Sequence, residues 1–161
     1  MTTTTTKIKE YKASRTLMRE LKLVSEHSNS FQSTKIQGSD AAYNVIKQFY
    51  THDIDIYESV FILLLNRANK TIGYAKISQG GVSASVVDNK LVCKYAIDSL
   101  ASAVILAHNH PSGNLNPSTQ DSALTESLNQ CLDVFDISLL DHLIIGTEDG
   151  AYFSFRDNGK L

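Results

Sequence analysis

The chain has 161 residues, a length that suits one compact domain with modest additions. Hydrophobic residues make up 42% of it, enough to build a core, so the composition excludes a wholly disordered protein. The formal net charge of -2 at pH 7 excludes a strongly basic protein that would bind nucleic acid by overall charge alone.

The first 38 residues form a polar lead-in rich in Thr, Ser and Lys, which we expect to be extended or partly disordered. Residues 1–25 carry a charge of +4, which leaves -6 for the rest of the chain. Such a basic arm can make weak contact with nucleic-acid phosphates, although an ordinary solvated tail is the interpretation we favour. A domain over residues 39–161 follows the lead-in.

Cysteine usage and hydropathy indicate the compartment. Cys93 and Cys131 lie far apart and outside any C-x-x-C pattern, which favours buried thiols in a reducing environment. The N-terminus has no apolar run typical of a signal peptide, and no stretch approaches the length of a membrane span. We therefore expect a cytoplasmic protein that does not contact the membrane.

The first half of the domain predicts two helices and a strand pair. Ser39 is a suitable N-cap for a helix over residues 40–50, where apolar residues recur at helical spacing. The unbroken apolar run at residues 60–65 predicts a strand buried on both faces, and residues 71–77 predict its antiparallel partner. Helical periodicity returns over residues 88–101.

The second half predicts another alternation of strand and helix. Residues 104–107 indicate a buried strand, followed over residues 108–117 by a loop rich in Asn, Gly and Pro. Asn116 and Pro117 predict the cap and the first residue of a helix. Short strands are predicted at residues 137–140, 142–145 and 152–155. The fold class is therefore α/β or α+β, with a central mixed sheet flanked by helices.

Two histidines lie where the strand at residues 104–107 opens into its loop. Alternate strand residues point the same way, so His108 and His110 can present both imidazoles to one point, and Asp121 follows at the start of the next helix. Two imidazoles and one carboxylate give zinc three ligands and leave a fourth position for water, whose pKa the metal lowers to about 7. We therefore predict one zinc ion per chain, held by these residues.

This pattern resembles a known motif. His108-x-His110, then seven residues, Ser118, two residues and Asp121 match the JAMM motif of the JAB/MPN metallohydrolases. Residues 56–161 resemble the RadC family of that group, over about two-thirds of the chain. The similarity includes Ala-His-Asn-His-Pro-Ser-Gly at residues 107–113, Leu-Asp-His-Leu-Ile at residues 140–144 and Tyr-Phe-Ser-Phe at residues 152–155. It implies a JAB/MPN-like fold, a cytidine-deaminase-like mixed sheet flanked by helices.

The resemblance also implies the catalytic residues. In the family a glutamate stands just before the first strand of the hairpin, and Glu58 holds that place as general base and then general acid. Ser118 would donate a hydrogen bond to the oxyanion of a tetrahedral intermediate. A serine at a helix start also suits a cap for free backbone N–H groups, and both interpretations stay open. For Asp141 and His142 we expect a role beside the metal ligands or in packing.

The implied activity is hydrolysis of a peptide or isopeptide amide bond, by a zinc-activated water, in an unidentified peptide or protein. The alternative is a protein of DNA repair that acts on or near DNA, which is the traditional association of RadC proteins. Members often carry an N-terminal helix-hairpin-helix module for DNA, and the lead-in shows no Gly-x-Gly hairpin, which weakens that alternative. A non-catalytic scaffold is disfavoured because all the predicted ligands are present.

DNA binding is expected to be weak, salt-sensitive and carried by the basic arm. Deleting residues 1–25 should abolish it, because the remaining chain has a net charge of -6 and releases few counterions from DNA. Titration of labelled duplex DNA from low to physiological salt, with the full and shortened chains side by side, measures this. Tight binding at physiological salt by a chain that starts at Gly38 would contradict the expectation and favour a DNA-directed role.

Overall fold

The computed structural model describes residues 32–50, 54–80 and 87–161. Within them the strands are β1 (Ser59–Leu65), β2 (Thr71–Gln79), β3 (Ala103–Asn109), β4 (Ser138–Ile145) and β5 (Tyr152–Ser154). They form one sheet in the order β2-β1-β3-β4-β5. The β3–β4 pair is parallel and the other neighbours are antiparallel. The sheet is therefore mixed, as the sequence predicts, and β3 lies at its centre.

Helices cover both faces of the sheet in the described part of the chain. They are α1 (Ser39–Ile46), which continues into a 3-10 turn at Lys47–Phe49, α2 (Asn89–Asp98) and α3 (Thr119–Asp133). One apolar cluster joins α1 to one face of the sheet, and a second joins α2 and α3 to the other face. This arrangement of a mixed sheet flanked by helices confirms the predicted fold class.

The central strand sends alternate side chains to opposite faces. Leu106 belongs to the cluster with α2 and α3, whereas Ala107 belongs to the cluster with α1. Because side chains alternate along a strand, His108 continues the first series and Asn109 the second. The last two residues of β3 therefore place an imidazole on the α3 side and an amide on the α1 side.

Two differences from the predicted strand bounds bear on the site. β3 continues through His108 to Asn109, so His108 is a strand residue and the loop starts later than predicted. β4 is one strand from Ser138 to Ile145, without the predicted break at Asp141. The buried Asp141 carboxylate fits inside this strand because its oxygens accept hydrogen bonds.

The starts of two helices also differ from prediction. α3 begins at Thr119 with Ser118 as its N-cap, so the predicted cap at Asn116 and first residue at Pro117 are wrong. Ser118 takes the cap because its hydroxyl accepts the backbone N–H of Asp121, the third helical residue, whose carboxylate in turn accepts the backbone N–H of Ser118. At α1 the N-cap is Gly38, and Ser39, the predicted N-cap, is instead the first helical residue.

The end of the lead-in attaches to β2. Thr34 and Thr71 exchange hydrogen bonds, with the Thr71 N–H donating to the Thr34 carbonyl at 2.9 Å and the Thr34 N–H donating to the Thr71 hydroxyl at 2.9 Å. Ile36 follows and is buried in the α1 cluster. Residues 1–31, the larger part of the predicted lead-in, lie outside the described residues. In the described part of the chain, no helix has both the length and the apolar character to cross a membrane.

Asp141 anchors β5 and the residues after it to β4. Its Oδ2 accepts the Ser154 hydroxyl at 2.6 Å, and its Oδ1 accepts the backbone N–H groups of His142 at 2.8 Å and Arg156 at 3.1 Å. Burial raises the pKa of this carboxyl, and these three donors act in the opposite direction. The carboxylate thus holds the chain after β5 against the sheet.

Asp141→Ala should destabilise the fold by about 2–4 kcal/mol, because buried donors lose their acceptor. Urea denaturation followed by circular dichroism measures the change in the free energy of unfolding. Asp133→Ala, which removes an exposed carboxylate at the end of α3, is the matched control and should stay within about 0.5 kcal/mol of wild type. Equal unfolding midpoints for the two variants would show that Asp141 is not an anchor.

Candidate metal centre

Three side chains converge at the carboxyl end of β3. The Nε2 atoms of His108 and His110 lie 2.9 Å apart. Asp121 Oδ1 lies 3.2 Å from the Nε2 of His108, and Asp121 Oδ2 lies 3.6 Å from the Nε2 of His110. These are the three residues predicted as metal ligands, and one ligand atom from each lies within 4.8 Å of the others. The carboxyl end of parallel strands is a common position for such sites.

The loop after β3 fixes the ring of His110. Its backbone N–H donates to the Ile145 carbonyl at 3.3 Å, and its own carbonyl accepts the N–H of Gly113, whose φ of 73° closes the turn. The ring Nδ1 lies 2.5 Å from the carbonyl oxygen of Asn114. A carbonyl only accepts, so Nδ1 of His110 is the donor there, and Nε2 is the ring nitrogen that faces Asp121.

Asp121 is held by the cap of α3. The backbone N–H and the hydroxyl of Ser118 donate to Asp121 Oδ2 at 2.6 and 2.7 Å, and the Asp121 N–H donates to the Ser118 hydroxyl at 3.1 Å. Burial raises the pKa of the Asp121 carboxyl, but hydrogen bonds with His108, His110 and Ser118 outweigh burial and lower it far below its usual value. The carboxylate is therefore ionised, next to two imidazoles and at a helix N-terminus that favours negative charge.

Glu58 lies beside this group but is not part of it. The pairing of β1 with β3 places Val60 opposite His108, and continuing that register places Glu58 opposite His110. The Glu58 side chain is half-buried. The pKa of His110 is raised, first by its hydrogen bond with Asp121 and in smaller part by the charge of Glu58, while burial acts the other way. The carboxylate predicted as general base thus acts electrostatically on a predicted metal ligand.

Asn109 holds the segment that carries the predicted base, a role that the sequence did not indicate. Its amide nitrogen donates to the carbonyls of Ile54 at 2.6 Å and Tyr57 at 2.9 Å. Its amide oxygen accepts the N–H of Ser59 at 2.8 Å. Asn109 is 0% exposed, so these bonds are sheltered from water. The position of this polar residue at the end of a buried strand was the sequence signal for such a role.

Behind the ligands lies a second set of hydrogen bonds. His108 Nδ1 is 2.8 Å from His142 Nε2, and His142 Nδ1 is 2.6 Å from the Thr125 hydroxyl, which donates to the Asp121 carbonyl at 2.6 Å. Burial lowers the pKa of His142 well below its usual value. His142 therefore lies beside the predicted metal ligands. Thr125 was missed, although a polar residue one helical turn after Asp121 was a usable signal.

The donor set fits a zinc ion. Imidazole nitrogen and carboxylate oxygen are ligands that zinc prefers, and tetrahedral bonds of about 2.0–2.2 Å separate donor atoms by roughly 3.3–3.6 Å. The two Nε2 atoms are 2.9 Å apart, Asp121 Oδ1 lies 3.2 Å from that of His108, and Asp121 Oδ2 lies 3.6 Å from that of His110. These separations are close to those that a zinc ion requires. Three protein ligands would leave a fourth position for water or substrate, as in zinc sites of the open kind.

The mixed sheet is flanked by helices, a His-x-His sequence spans the end of its central strand, and an aspartate lies in the first turn of the next helix. Together these features define a JAB/MPN-like domain with a hydrolase-like fold. The family model of the RadC-like JAB domain matches residues 36–160. The chain belongs to this family.

Curated relatives agree with this assignment. A UPF0758 protein of Porphyromonas gingivalis is 47% identical over 126 residues, which cover 78% of this chain and 54% of the relative. UPF0758 proteins of Flavobacterium johnsoniae and Chlorobaculum parvum are 42% and 35% identical, over 64% and 79% of this chain and 44% and 55% of the relatives. The chain thus spans about half the length of the curated relatives it matches.

About one zinc ion should bind per chain, and Asp121→Ala should remove most of it because one of three ligands is lost. Elemental analysis of the purified, untagged protein measures the stoichiometry. Asp133→Ala, which removes an exposed carboxylate from the far end of α3, is the control and should keep the metal. A wild-type protein that contains no transition metal and does not take up added zinc would remove the metal centre.

Proposed function

We propose that the protein is a zinc-dependent hydrolase of the JAMM type that cleaves a peptide or isopeptide amide bond. The observation that carries the proposal is the convergence of His108, His110 and Asp121 next to the Glu58 carboxylate. When bound there, zinc would supply a Lewis acid and lower the pKa of a water molecule. The remaining chemistry belongs to the side chains of this chain.

Glu58 is assigned the proton transfer. Its carboxylate accepts a proton from the attacking water and then delivers that proton to the leaving nitrogen. This needs a carboxylate of fixed position, and the backbone on both sides of Glu58 is held by the Asn109 amide. The Glu58 carbonyl also accepts the Gly80 N–H at 2.9 Å, which ties the segment to the end of β2.

Ser118 is assigned the stabilisation of the developing oxyanion. Its hydroxyl donates to Asp121 in this structure, so this role requires the hydroxyl to turn from the carboxylate to the substrate oxygen. The backbone N–H of Ser118 donates to the same carboxylate oxygen and would keep Asp121 in place during that turn. The cap function and the catalytic function are therefore compatible in one residue.

The number of candidate metal-binding sites favours an amide over a phosphodiester as substrate. Among the residues that the structure describes, His108, His110 and Asp121 form the one group suited to a metal ion. Phosphodiester cleavage more often uses two metals about 3.5–4 Å apart, which clamp the attacking and leaving oxygens. Attack on a planar carbonyl needs one Lewis acid, a base and an oxyanion donor, and each has a candidate here.

Glu58→Gln should keep the metal and lower hydrolytic turnover by about 10²–10⁴-fold, because the substitution keeps size and polarity but removes the base. Metal content and turnover are measured on the same preparation. Glu126→Gln, at an exposed position on α3, is the control for removal of a carboxylate and should leave turnover unchanged. If turnover in Glu58→Gln equals that of wild type, Glu58 has no part in the mechanism.

The substrate class can be tested with the zinc-loaded protein. Peptide and isopeptide libraries and single- and double-stranded DNA are each incubated with wild type and with Glu58→Gln. We expect amide cleavage that depends on added zinc and is lost in the variant. Metal-dependent DNA cleavage that disappears in Glu58→Gln would contradict the proposal and favour the DNA-directed alternative.

A further inference from the structure

A chain of hydrogen bonds leads from His108 back to the helix that carries Asp121. His108 Nδ1 contacts His142 Nε2 at 2.8 Å, His142 Nδ1 contacts the Thr125 hydroxyl at 2.6 Å, and that hydroxyl contacts the Asp121 carbonyl oxygen at 2.6 Å. We propose that Thr125 and His142 are positioning residues that fix the tautomer of His108 with its Nε2 lone pair toward the metal position. The inference rests on the metal site of the proposed function.

The direction of the chain is set at Thr125. The Asp121 carbonyl oxygen can only accept, and two oxygens 2.6 Å apart require a proton between them, so the hydroxyl proton of Thr125 points to that carbonyl. The hydroxyl has one proton, so toward His142 it can only accept. His142 Nδ1 must therefore carry a proton and donate it to Thr125.

The next bond follows from the burial of His142. The ring is 0% exposed and stacks on Phe155 with the centroids 4.6 Å apart, an environment that disfavours a charged imidazole. A neutral ring with its proton on Nδ1 has a lone pair on Nε2. His142 Nε2 therefore accepts, and His108 Nδ1 donates to it across 2.8 Å.

The consequence lies at the metal position. With its proton on Nδ1, His108 is left with Nε2, the nitrogen that faces His110 and Asp121, as its metal-binding atom. His110 reaches the same state by a different route, because its Nδ1 donates to the Asn114 carbonyl. The two Nε2 atoms lie 2.9 Å apart beside the Asp121 carboxylate, and a bound cation would replace the hydrogen bonds that they make with it. The metal ligands are thus prepared by hydrogen bonds that end on backbone carbonyls.

Thr125→Val tests the relay with little change in volume. Without the hydroxyl, the Nδ1 proton of His142 has no acceptor, so the tautomer with the proton on Nε2 becomes favoured because it can donate to His108. His108 would then carry its own proton on Nε2, where it blocks the metal. Thr125→Ser restores a hydroxyl at the same position and is the matched control.

The first measurement is zinc affinity by competition with a chelator. Thr125→Val should bind zinc about 10–100-fold more weakly than wild type, and Thr125→Ser should stay close to wild type. Unfolding curves for both variants establish that the folded protein is compared. If wild type and Thr125→Val bind zinc equally well, the relay does not position His108. Loss of affinity in both variants would also overturn it, because rescue by the hydroxyl is required.

The second measurement needs no metal. Nitrogen-15 NMR of the imidazoles in metal-free wild type, at a pH well above the usual imidazole pKa, reports which ring nitrogen is protonated. We expect His142 to carry its proton on Nδ1, and Thr125→Val to shift it to Nε2. A wild-type His142 protonated on Nε2 would overturn the inference. If wild type binds no zinc, the proposed function fails, while this spectrum still decides the direction of the relay.

Discussion

The position of β3 between β1 and β4 is the constraint on which the rest of the structure depends. Side chains of a strand with neighbours on both sides must alternate between the two faces, so His108 is directed toward α3 and Asn109 toward the α1 side. His108 then meets the aspartate of α3, and Asn109 holds the segment before β1 that carries Glu58. A slip of one residue in the pairing of β3 would exchange these roles and bury apolar residues in the wrong layer.

Burying polar groups at the end of this strand is tolerable because they satisfy one another. His142, Asn109 and Asp141 are almost fully buried, and each has hydrogen-bond partners. Among buried side-chain nitrogens and oxygens in the described part of the chain, the one without a partner is the Asn89 amide oxygen, which lies at the start of α2 rather than in this network. In a low-dielectric interior a complete network is rigid and an incomplete one is costly. The side chains around the candidate metal position are therefore held in place by the protein itself.

The helices, the strands and the candidate ligands were predictable from local sequence pattern, whereas the contacts between distant elements depend on how the chain packs. Apolar runs and helical spacing gave the strands and helices, and the spacing of His108, His110 and Asp121 gave the candidate ligands. The partners of Asn109 and Thr125 were not predicted, although the polar character of both residues was a signal. The partners of Asn109 lie 50 or more residues away, and the His142 ring that Thr125 contacts lies 17 residues away, on β4. Local pattern also misplaced the start of α3, where a reciprocal pair between the cap and the third helical residue outweighed an otherwise suitable Asn-Pro.

The stability of the fold and the assembly of the metal position are separable in this protein. The two apolar clusters that join the helices to the sheet contain no metal ligand, and they bring β3 and α3 together without one. In a zinc finger the metal supplies the folding energy, because no core exists without it. Here the core fixes the strand and the helix, the loop after β3 orients His110, and the cap of α3 orients Asp121. Since these groups are ordered by folding, little conformational entropy would be lost on metal binding, and the hydrogen bonds around the site determine how the candidate ligands are oriented.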